Sequence, residues 1–485
     1  MGAVTKHEFM RIRTITLALF MFVLTPAWGK VLVRWTEPSL PPRKALGTSQ
    51  VVIDWDSNAA AAIRRASEQG YEVYAQVPVQ EASDAAHLLR KLPVAGIILD
   101  PAKAQSGDID ATRKMLQAGR SKLSVLVLDS NGKQPQMRGQ TITTRNGILQ
   151  VSSPTAQPWL DSNLATVRFD EEFHPEQTPL YTFKWEPGDS LQQANGPSAE
   201  DYALAIAEAG AIHADLILNV DEKLQKGLVE NQPAAWDSWN KVKKYLAFDG
   251  SDSRTALAPQ ANVGVLTGDY DTAYEPMNLM GRHNIPYRVL NVAGLTGSKL
   301  QGLDVVTVFT APDQQAVATL MNFAKQGGTV VLINLKGSYP WQAANPAQTA
   351  EHAVSYVVGK GRVIELSEPV SDPETFAQDV RRLVEKDKSL ISVWNALTIL
   401  AIAYRNPRTG EHVIELVNFS EEPLRIQLRL KGSFSAARYE TPDQKCCQSL
   451  PGIKRGGFTE FVVPSLGISG RLRLRPQQPA NTSTP

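Results

Sequence analysis

In the first half of the chain, short apolar runs typical of buried strands alternate with segments in which apolar residues recur at helical spacing. This pattern is typical of units in which a strand is followed by a helix. The first such unit joins the β-branched run 50–56 (QVVIDWD) to 58–70 (NAAAAIRRASEQG), which has helical spacing. Buried parallel strands separated by amphipathic helices are typical of this pattern. Eight candidate strands predict a compact (β/α)8, TIM-like barrel over residues 30–250, with a doubly wound sheet as the alternative. They are 50–56, 71–79, 94–101, 122–130, 146–153, 163–170, 180–186 and a run that begins at 215.

The second half of the chain shows two further patterns. After a linker rich in Ser, Asp, Ala and Pro, strand and helix alternate again, which predicts a flavodoxin-like α/β domain over residues 260–388. After about residue 390 the helical period disappears, and runs of strand and turn predict a small β-sandwich over 392–476. The polar tail 477–485 is expected to be disordered. The fold class is therefore multidomain α/β with a β-sandwich at the end.

Composition and charge fit a folded protein whose ligand is not a nucleic acid. The chain has 485 residues, of which 42% are apolar and 20% charged, which is the balance of a globular protein with two or three domains. Its formal net charge is only +1. Because no stripe of Lys and Arg interrupts the sequence, nucleic acid is not expected as a partner.

The first 29 residues have the form of a secretory signal peptide. Lys6, Arg11 and Arg13 precede the apolar run 14–29, and the small residues near its end place a cleavage site after Gly29. The run is too short for a stable membrane span, so we expect a secreted or periplasmic protein with no membrane span after cleavage.

The only cysteines, Cys446 and Cys447, are adjacent, which favours neither redox chemistry nor a zinc site. No cofactor is expected.

The middle domain carries the closest resemblance to a known family. The segments 263–291 (VGVLTGDYDTAYEPMNLMGRHNIPYRVLN), 303–334 (LDVVTVFTAPDQQAVATLMNFAKQGGTVVLIN) and 359–366 (GKGRVIEL) resemble the trimerisation domain of bacterial β-galactosidases. The order of barrel, flavodoxin-like domain and all-β domain resembles the same enzymes, and secreted glycoside-hydrolase-like proteins built on that plan. The resemblance implies a carbohydrate ligand and a possible homo-oligomer formed through the middle domain.

The middle domain also resembles class I glutamine amidotransferases, whose nucleophilic cysteine lies on a turn between a strand and a helix. The corresponding turn here is 308–315 (VFTAPDQQ), which contains neither Cys nor a Gly-x-Ser-x-Gly motif. An amidotransferase activity is therefore not expected. A spacer or an oligomerisation surface is the better interpretation.

Glycosidases place two carboxylates on either side of the scissile bond. In the resembled barrels the acid/base follows strand four and the nucleophile ends strand seven. Carried onto this chain, these positions are Asp129, with Asp100 as a second candidate for the acid, and Glu186 at the end of 180–186 (LYTFKWE). The family's usual Asn-Glu pair is absent after strand four.

Polar and aromatic side chains at other strand ends are candidates for substrate binding. Carboxylates accept hydrogen bonds from sugar hydroxyls, and flat aromatic rings stack on the CH groups of a pyranose. These candidates are Asp54, Trp55, Asp56, Asp170 and Asn219. No histidine joins the acids at the spacing of metal ligands, so no metal site is expected.

Two functions remain open at this point. The first is a secreted glycoside-hydrolase-like protein that acts on an oligo- or polysaccharide by two-carboxylate chemistry. The second is a catalytically inactive barrel that binds carbohydrate or serves as a scaffold for envelope assembly, which the missing Asn-Glu pair favours. Two carboxylates close together in an open, aromatic-lined pocket would favour the enzyme.

Overall fold

A computed structural model describes residues 30–101, 104, 106–118, 123–138, 141–145, 148–153, 159–185, 196–250, 256–394, 397–420, 422–444 and 447–476. The expected signal peptide and C-terminal tail, as well as Glu186 and Cys446, lie outside the described residues. None of the helices in this described part is long and apolar enough to cross a membrane.

The first group of elements builds the barrel. Its strands are β1 (Val31–Arg34), β2 (Gln50–Asp54), β3 (Glu72–Pro78), β4 (Val94–Asp100), β5 (Ser124–Val127), β6 (Gln136–Arg138), β7 (Thr141–Arg145), β8 (Ile148–Ser153), β9 (Trp159–Asp161), β10 (Leu180–Phe183) and β11 (Asp215–Asn219). Its helices are α1 (Arg43–Leu46), α2 (Ala59–Glu68), α3 (Ala82–Leu89), α4 (Ser106–Gln117), α5 (Leu164–Phe173), α6 (Ala199–Ile212), α7 (Glu222–Val229) and α8 (Pro233–Asp249).

Seven parallel strands form the barrel sheet, in the order β10-β11-β1-β2-β3-β4-β5. The two ends of this sheet meet where the backbone N–H of Asp129 donates to the carbonyl of Leu180 at 2.7 Å, next to a parallel bridge between Asp129 and Tyr181. The near-closed sheet confirms the TIM-like barrel expected from the sequence. In the described residues it has seven strands, where eight were expected.

The strand count differs for two reasons. Two of the predicted strands form a helix and a separate hairpin, and one strand of the barrel was not predicted. Residues 163–170 form most of α5, and 146–153 contribute β8, which pairs with β7 in a separate hairpin. Helix α5 buries polar as well as apolar side chains, so its sequence lacks the one-sided period of a surface helix. Strand β1 follows the apolar run 14–29 so closely that the two could not be separated by hydropathy.

The barrel interior is filled by one ring of side chains. Seven buried residues form this ring: Leu32, Val52, Tyr74, Ile98, Leu180 and Ile217 on six of the strands, and Leu128 just after β5. Tyr74 is the largest of them, and Gly96 on the neighbouring strand leaves space for its ring, since a Cβ at position 96 would lie 2.6 Å from it. The barrel is therefore a packed core below its open end.

The second group of elements is an α/β domain. Its strands are β13 (Val263–Thr267), β14 (Tyr287–Asn291), β15 (Val305–Val308), β16 (Thr329–Ile333), β17 (Gln348–Thr349), β18 (Ala353–Val358) and β19 (Gly361–Leu366), and its helices are α9 (Tyr274–Arg282), α10 (Gln314–Lys325) and α11 (Pro373–Leu383). The sheet order is β14-β13-β15-β16-β19-β18-β17, parallel through β19 and antiparallel after it. This open sheet confirms the flavodoxin-like expectation.

The last group of elements is a β-sandwich of two antiparallel sheets. The strands are β12 (Ala258–Pro259), β20 (Ile391–Trp394), β21 (Ile399–Arg405), β22 (His412–Asn418), β23 (Leu424–Lys431), β24 (Ala436–Glu440), β25 (Gln448–Pro451), β26 (Ile453–Arg455), β27 (Phe458–Leu466) and β28 (Ser469–Leu474). One sheet has the order β12-β21-β22-β28-β24-β25 and the other β20-β23-β27-β26. The linker strand β12 thus belongs to the sandwich, and the fold class predicted from the sequence is confirmed.

Helix α5 attaches the barrel to the α/β domain. The ring of Phe169 meets that of Tyr270 edge-on at 5.5 Å, and the hydroxyls of Thr166 and Tyr270 are 2.7 Å apart. Glu172 accepts a hydrogen bond from the backbone of Asn291 at 3.0 Å. Tyr270 and Asn291 lie at the carboxyl ends of β13 and β14, the edge where open α/β sheets usually bind ligands. Part of this edge is therefore used as an interface with the barrel.

A buried carboxyl group connects helix α6 to the same interface. Glu208 accepts hydrogen bonds from the backbone and side-chain nitrogens of Asn163 at 2.9 and 2.7 Å, and from the hydroxyl of Tyr181 at 3.2 Å. Asn163 in turn accepts from the backbone of Lys133 at 2.9 Å, and Lys133 bonds the Tyr274 hydroxyl of the α/β domain. Burial raises the pKa of Glu208 to about 7, although its hydrogen bonds and Lys133 oppose the shift.

The sandwich packs on the barrel through a stacked ring pair and a contact between a buried arginine and an aromatic ring. The rings of Tyr404 and His213 lie 3.7 Å apart, and Arg168 donates to the Tyr404 hydroxyl at 2.9 Å. Arg471 donates to Glu415 at 2.6 Å, and its guanidinium lies 4.8 Å from the ring centre of Phe248 on α8. The sandwich is thus fixed to the helix layer of the barrel.

The fit of Tyr74 against Gly96 predicts that Gly96→Ala destabilises the barrel. The added methyl group clashes with the Tyr74 ring, and overpacking of this kind costs about 1–3 kcal/mol. The measurement is the midpoint of urea unfolding followed by circular dichroism. Gly107→Ala in α4 is the control, because nothing lies within 4 Å of its Cβ position and stability should stay equal or rise. Equal midpoints for Gly96→Ala and the wild type would show that the ring has room.

The raised pKa of Glu208 predicts a pH-dependent effect of Glu208→Gln. The folded protein holds this proton up to about pH 7, whereas the unfolded chain releases it near the ordinary value of 4.5. Glu208 therefore costs increasing stability as pH rises between these values. Relative to the wild type, Glu208→Gln should gain up to about 3 kcal/mol in unfolding free energy from pH 5 to pH 8. The measurement is urea unfolding at both pH values.

Glu200→Gln is the matched control for that comparison. Glu200 lies on the same helix, with 62% of its side chain exposed, so the difference between this variant and the wild type should change little with pH. A stability difference for Glu208→Gln that is equally independent of pH would contradict the assignment of a raised pKa.

Candidate active site at the barrel mouth

A layer of polar side chains lies directly above the apolar ring of the barrel. Side chains alternate between the two faces of a strand, so the residue two positions beyond each ring member also points inward. The six such positions on β1, β2, β3, β4, β10 and β11 are all polar and lie toward the carboxyl ends of the strands, where barrel enzymes hold their chemistry. We call them the mouth layer: Arg34, Asp54, Gln76, Asp100, Thr182 and Asn219.

One side of the mouth layer is a chain of hydrogen bonds that connects two carboxylates. Arg34 donates to Asp54 at 3.4 Å and also donates to the side-chain oxygen of Gln76. The nitrogen of the Gln76 amide donates to Asp100 at 3.0 Å. Asp54 and Asp100 are thus held on strands β2 and β4, with Gln76 of β3 between them.

The other side of the mouth layer presents polar atoms whose bonding is incomplete. Thr182 Oγ1, Asn219 Oδ1 and Arg34 Nε are buried and have no hydrogen-bond partner among the described residues. They lie on the adjacent strands β10, β11 and β1. A buried polar group without a partner costs about 1–3 kcal/mol, so a ligand that offers hydroxyl groups at this place is stabilised by filling it.

The surroundings of Asp54, whose side chain is 48% exposed, raise its pKa. Burial raises the pKa of Asp54 above its ordinary value of 3.8, Arg34 opposes the shift, and the charges of Asp100 and Asp56 add to it. A carboxyl group with a raised pKa next to a second carboxylate is the arrangement that general acid catalysis requires.

Comparison with solved structures identifies the architecture. An α-L-fucosidase (isoenzyme 2) from Paenibacillus thiaminolyticus aligns over 93% of this chain and 100% of its own, with a TM-score of 0.60 and 11% identity. The chain has a multidomain glycoside-hydrolase fold. The resemblance seen in the sequence is therefore confirmed at the level of the fold.

Two further solved structures that match this chain are also glycosidases, with lower TM-scores. A β-galactosidase from Bacillus circulans sp. alkalophilus has a TM-score of 0.41 at 11% identity, covering 86% of this chain and 66% of its own. An exo-β-1,4-mannosidase from Opitutaceae bacterium strain TAV5 has a TM-score of 0.44 at 11% identity, covering 73% and 96%. These scores are too low to support a structural argument. No family model and no curated protein sequence matches the chain.

Three of the residues singled out from the sequence meet in the mouth layer, and two of their neighbours do not. Asp54, Asp100 and Asn219 all belong to the layer. Trp55 points away from the barrel interior and packs against the hydrophobic cluster between the strands and their helices. Asp56 is exposed and accepts a hydrogen bond from the backbone of Asn58 at 2.7 Å, which is a turn contact.

Asp129 and Asp170 lie on the helix side of the barrel sheet. Asp129 neighbours Tyr181, whose side chain packs in the outer cluster, and it accepts from the backbone of Asn131 at 2.7 Å. Burial raises the pKa of Asp129, while that hydrogen bond and His174 oppose the shift. Burial, followed by the charge of Asp129, raises the pKa of Asp170 on α5 to about 7. The structure does not bring this pair to the mouth layer.

The third catalytic candidate, Glu186, follows β10 but lies outside the described residues. Its role as a nucleophile or base stays a prediction. Within the described ranges, no three His, Cys, Asp or Glu side chains come together as ligands for a metal ion.

Sequence reasoning missed Arg34, Gln76 and Thr182. The candidates from the sequence were acids, aromatic residues and one asparagine, whereas these three residues are an arginine, a glutamine and a threonine. The alternation of inward and outward side chains could have identified Gln76 and Thr182, because each lies two positions after an inward-facing residue of a predicted strand. Arg34 could not be identified in this way, since its strand was not predicted.

Removal of Arg34 should raise the pKa of Asp54. Arg34→Gln deletes the charge that opposes the effect of burial, so Asp54 should lose its proton at higher pH than in the wild type. The measurement is a pH titration of the side-chain carbon of 13C-labelled aspartate, with Asp54→Asn to assign the signal. Arg382→Gln, which removes an exposed charge from α11, should leave the titration unchanged. An unaltered or lower pKa in Arg34→Gln would refute this account of the site.

Proposed function

We propose that the protein is a secreted enzyme that hydrolyses a glycosidic bond in an oligo- or polysaccharide. The mouth layer is the observation that carries this proposal, because it combines two linked carboxylates with buried polar atoms that lack partners. The glycoside-hydrolase fold supports a carbohydrate ligand, and the N-terminal segment supports export.

The separation of the two strands that carry the carboxylates favours an inverting reaction. Asp54 lies on β2 and Asp100 on β4, with β3 and its Gln76 amide between them. The two strands are therefore on the order of 10 Å apart. Inverting glycosidases hold their carboxyl groups about 6.5–9.5 Å apart to leave room for a water molecule, whereas retaining enzymes hold them about 5 Å apart.

The roles of the two groups follow from their surroundings. Asp54, whose pKa is raised by burial, gives its proton to the glycosidic oxygen as the bond from that oxygen to the anomeric carbon breaks. Asp100, which is oriented by Gln76, takes a proton from the water that attacks the anomeric carbon from the opposite face. Arg34, Thr182 and Asn219 hold the hydroxyl groups of the sugar.

The test is a screen of aryl glycosides and oligosaccharides, followed by kinetics of variants on any substrate found. Asp54→Asn and Asp100→Asn should each lower kcat by about 10²–10⁴-fold, the usual contribution of a general acid or base. Asp379→Asn is the control, because Asp379 is 55% exposed on α11 of a different domain and should keep full activity. The rate should fall as pH rises through the raised pKa of Asp54, since the acid must be protonated.

Variants at these positions distinguish which residue is the general base, and whether the protein hydrolyses or only binds carbohydrate. Full activity of Asp100→Asn together with loss of activity in Glu186→Gln would move the base to Glu186. A second candidate function is an inactive barrel that binds carbohydrate, favoured by the bonding of Asp54, Arg34, Gln76 and Asp100 with one another. Sugar binding that Asn219→Ala weakens, with no turnover of any substrate, would support that second function.

A further inference from the structure

The outer face of the four-stranded sheet of the sandwich has an unusual composition. On β23 the side chains of Ile426, Leu428 and Leu430 belong to the sandwich core, so residues at odd-numbered positions point outward. On β27 Phe461 and Val463 belong to the core, so the even-numbered positions from Phe458 to Val462 point outward. The outward residues on the four strands are Ser392, Trp394, Arg425, Gln427, Arg429, Lys431, Ile453, Arg455, Phe458, Glu460 and Val462.

One row of this face presents an aromatic ring to solvent. Trp394 of β20 pairs with Gln427 of β23, which pairs with Val462 of β27. The row therefore crosses three strands and is about 10 Å long. Trp394 remains 38% exposed, although large aromatic side chains are usually covered.

In the next row, Arg429 pairs with Glu460 and lies over the ring of Phe458, which belongs to the row beyond. The guanidinium of Arg429 lies 3.8 Å from the ring centre of Phe458, and its Nε is buried with no hydrogen-bond partner among the described residues. Stacking on the ring holds the guanidinium in a fixed plane, which suits it to bind a carboxylate.

The charge of this face is strongly positive. Four cations, Arg425, Arg429, Lys431 and Arg455, accompany a single carboxylate, Glu460, which Arg455 approaches at 3.6 Å. The whole chain, by contrast, has a formal charge of +1. Positive charge is therefore concentrated here, on a sheet face that also exposes a tryptophan, and the complementary ligand is an extended anion.

We propose that this sheet face binds an acidic polysaccharide whose rings carry carboxylates. Trp394 stacks on one ring, Gln427 bonds ring hydroxyls, and Arg429 and Arg425 pair with carboxylates along the chain. The choice of a polysaccharide over other polyanions rests on the proposed function of the barrel. The face itself lies on the sandwich, so binding here does not depend on catalysis.

The test measures binding of the full-length protein to polygalacturonate and to its methyl-esterified form, which has the same rings without the charges. Polygalacturonate should bind, and the esterified form should bind much more weakly. Trp394→Ala should weaken the affinity for polygalacturonate about tenfold, whereas Trp394→Phe should keep most of it, because a ring remains. Thermal unfolding of each variant shows whether it is folded.

Arg429→Gln tests the charge, with Arg382→Gln as its matched control. Arg382 is 72% exposed on α11 of a different domain, so its removal lowers the net charge equally without touching the face. Arg429→Gln should weaken binding several-fold and Arg382→Gln should not. Equal losses in the two variants would mean attraction by net charge alone and would overturn the proposal.

Three other results would also overturn it. Equal binding of the two polymers would exclude recognition of carboxylates. Single-stranded DNA that binds more tightly and displaces polygalacturonate would make the partner a nucleic acid. A change in oligomeric state on Trp394→Ala, seen by light scattering, would make the face a contact between copies of the chain. Asp54→Asn should bind polygalacturonate as the wild type does, so failure of catalysis and failure of binding are distinguishable.

Discussion

Closure of the barrel sheet is the constraint on which the rest of the molecule depends. The backbone of Asp129 bonds that of Leu180 at 2.7 Å, so strands far apart in the sequence share one continuous hydrogen-bonded ring. Closure fixes which side chains face inward, and Tyr74 fills the space that results. Because the packed core holds the strands in a closed barrel, the polar side chains above it lie close enough together to form one site.

The same closure places the helix layer that holds the other two domains. Helix α5 follows the strand pair β6 and β9 and is buried between the barrel and the α/β domain. Glu208 lies behind it, where burial raises the pKa of its carboxyl group to about 7. Tyr404, stacked on His213, and Arg471, placed over the ring of Phe248, attach the sandwich to the same layer. The α/β domain and the sandwich therefore both attach to the helix layer of the barrel.

Charge is arranged differently at the two proposed binding places. The barrel mouth holds two carboxylates and one arginine, a set suited to the proton transfers of the proposed hydrolysis. The outer face of the sandwich holds mostly cations around an exposed tryptophan, a set suited to the proposed binding of an anionic chain. Under these two proposals, the sandwich holds an acidic polymer while the barrel hydrolyses glycosidic bonds.

The sequence by itself determined the three domains and their order, because each has a hydrophobic period that local burial produces. It also placed Asp54, Asp100 and Asn219 at strand ends, where parallel strands bring side chains together. It could not find α5, whose burial on several sides erases the helical period, nor β1, which merges with the apolar run before it. Only the tertiary structure decided that Arg34, Gln76 and Thr182 join the mouth layer while Asp129 and Asp170 lie on the helix side. The inward or outward direction of a strand-end side chain is set by the position of the closed barrel around it, and no local pattern carries that information.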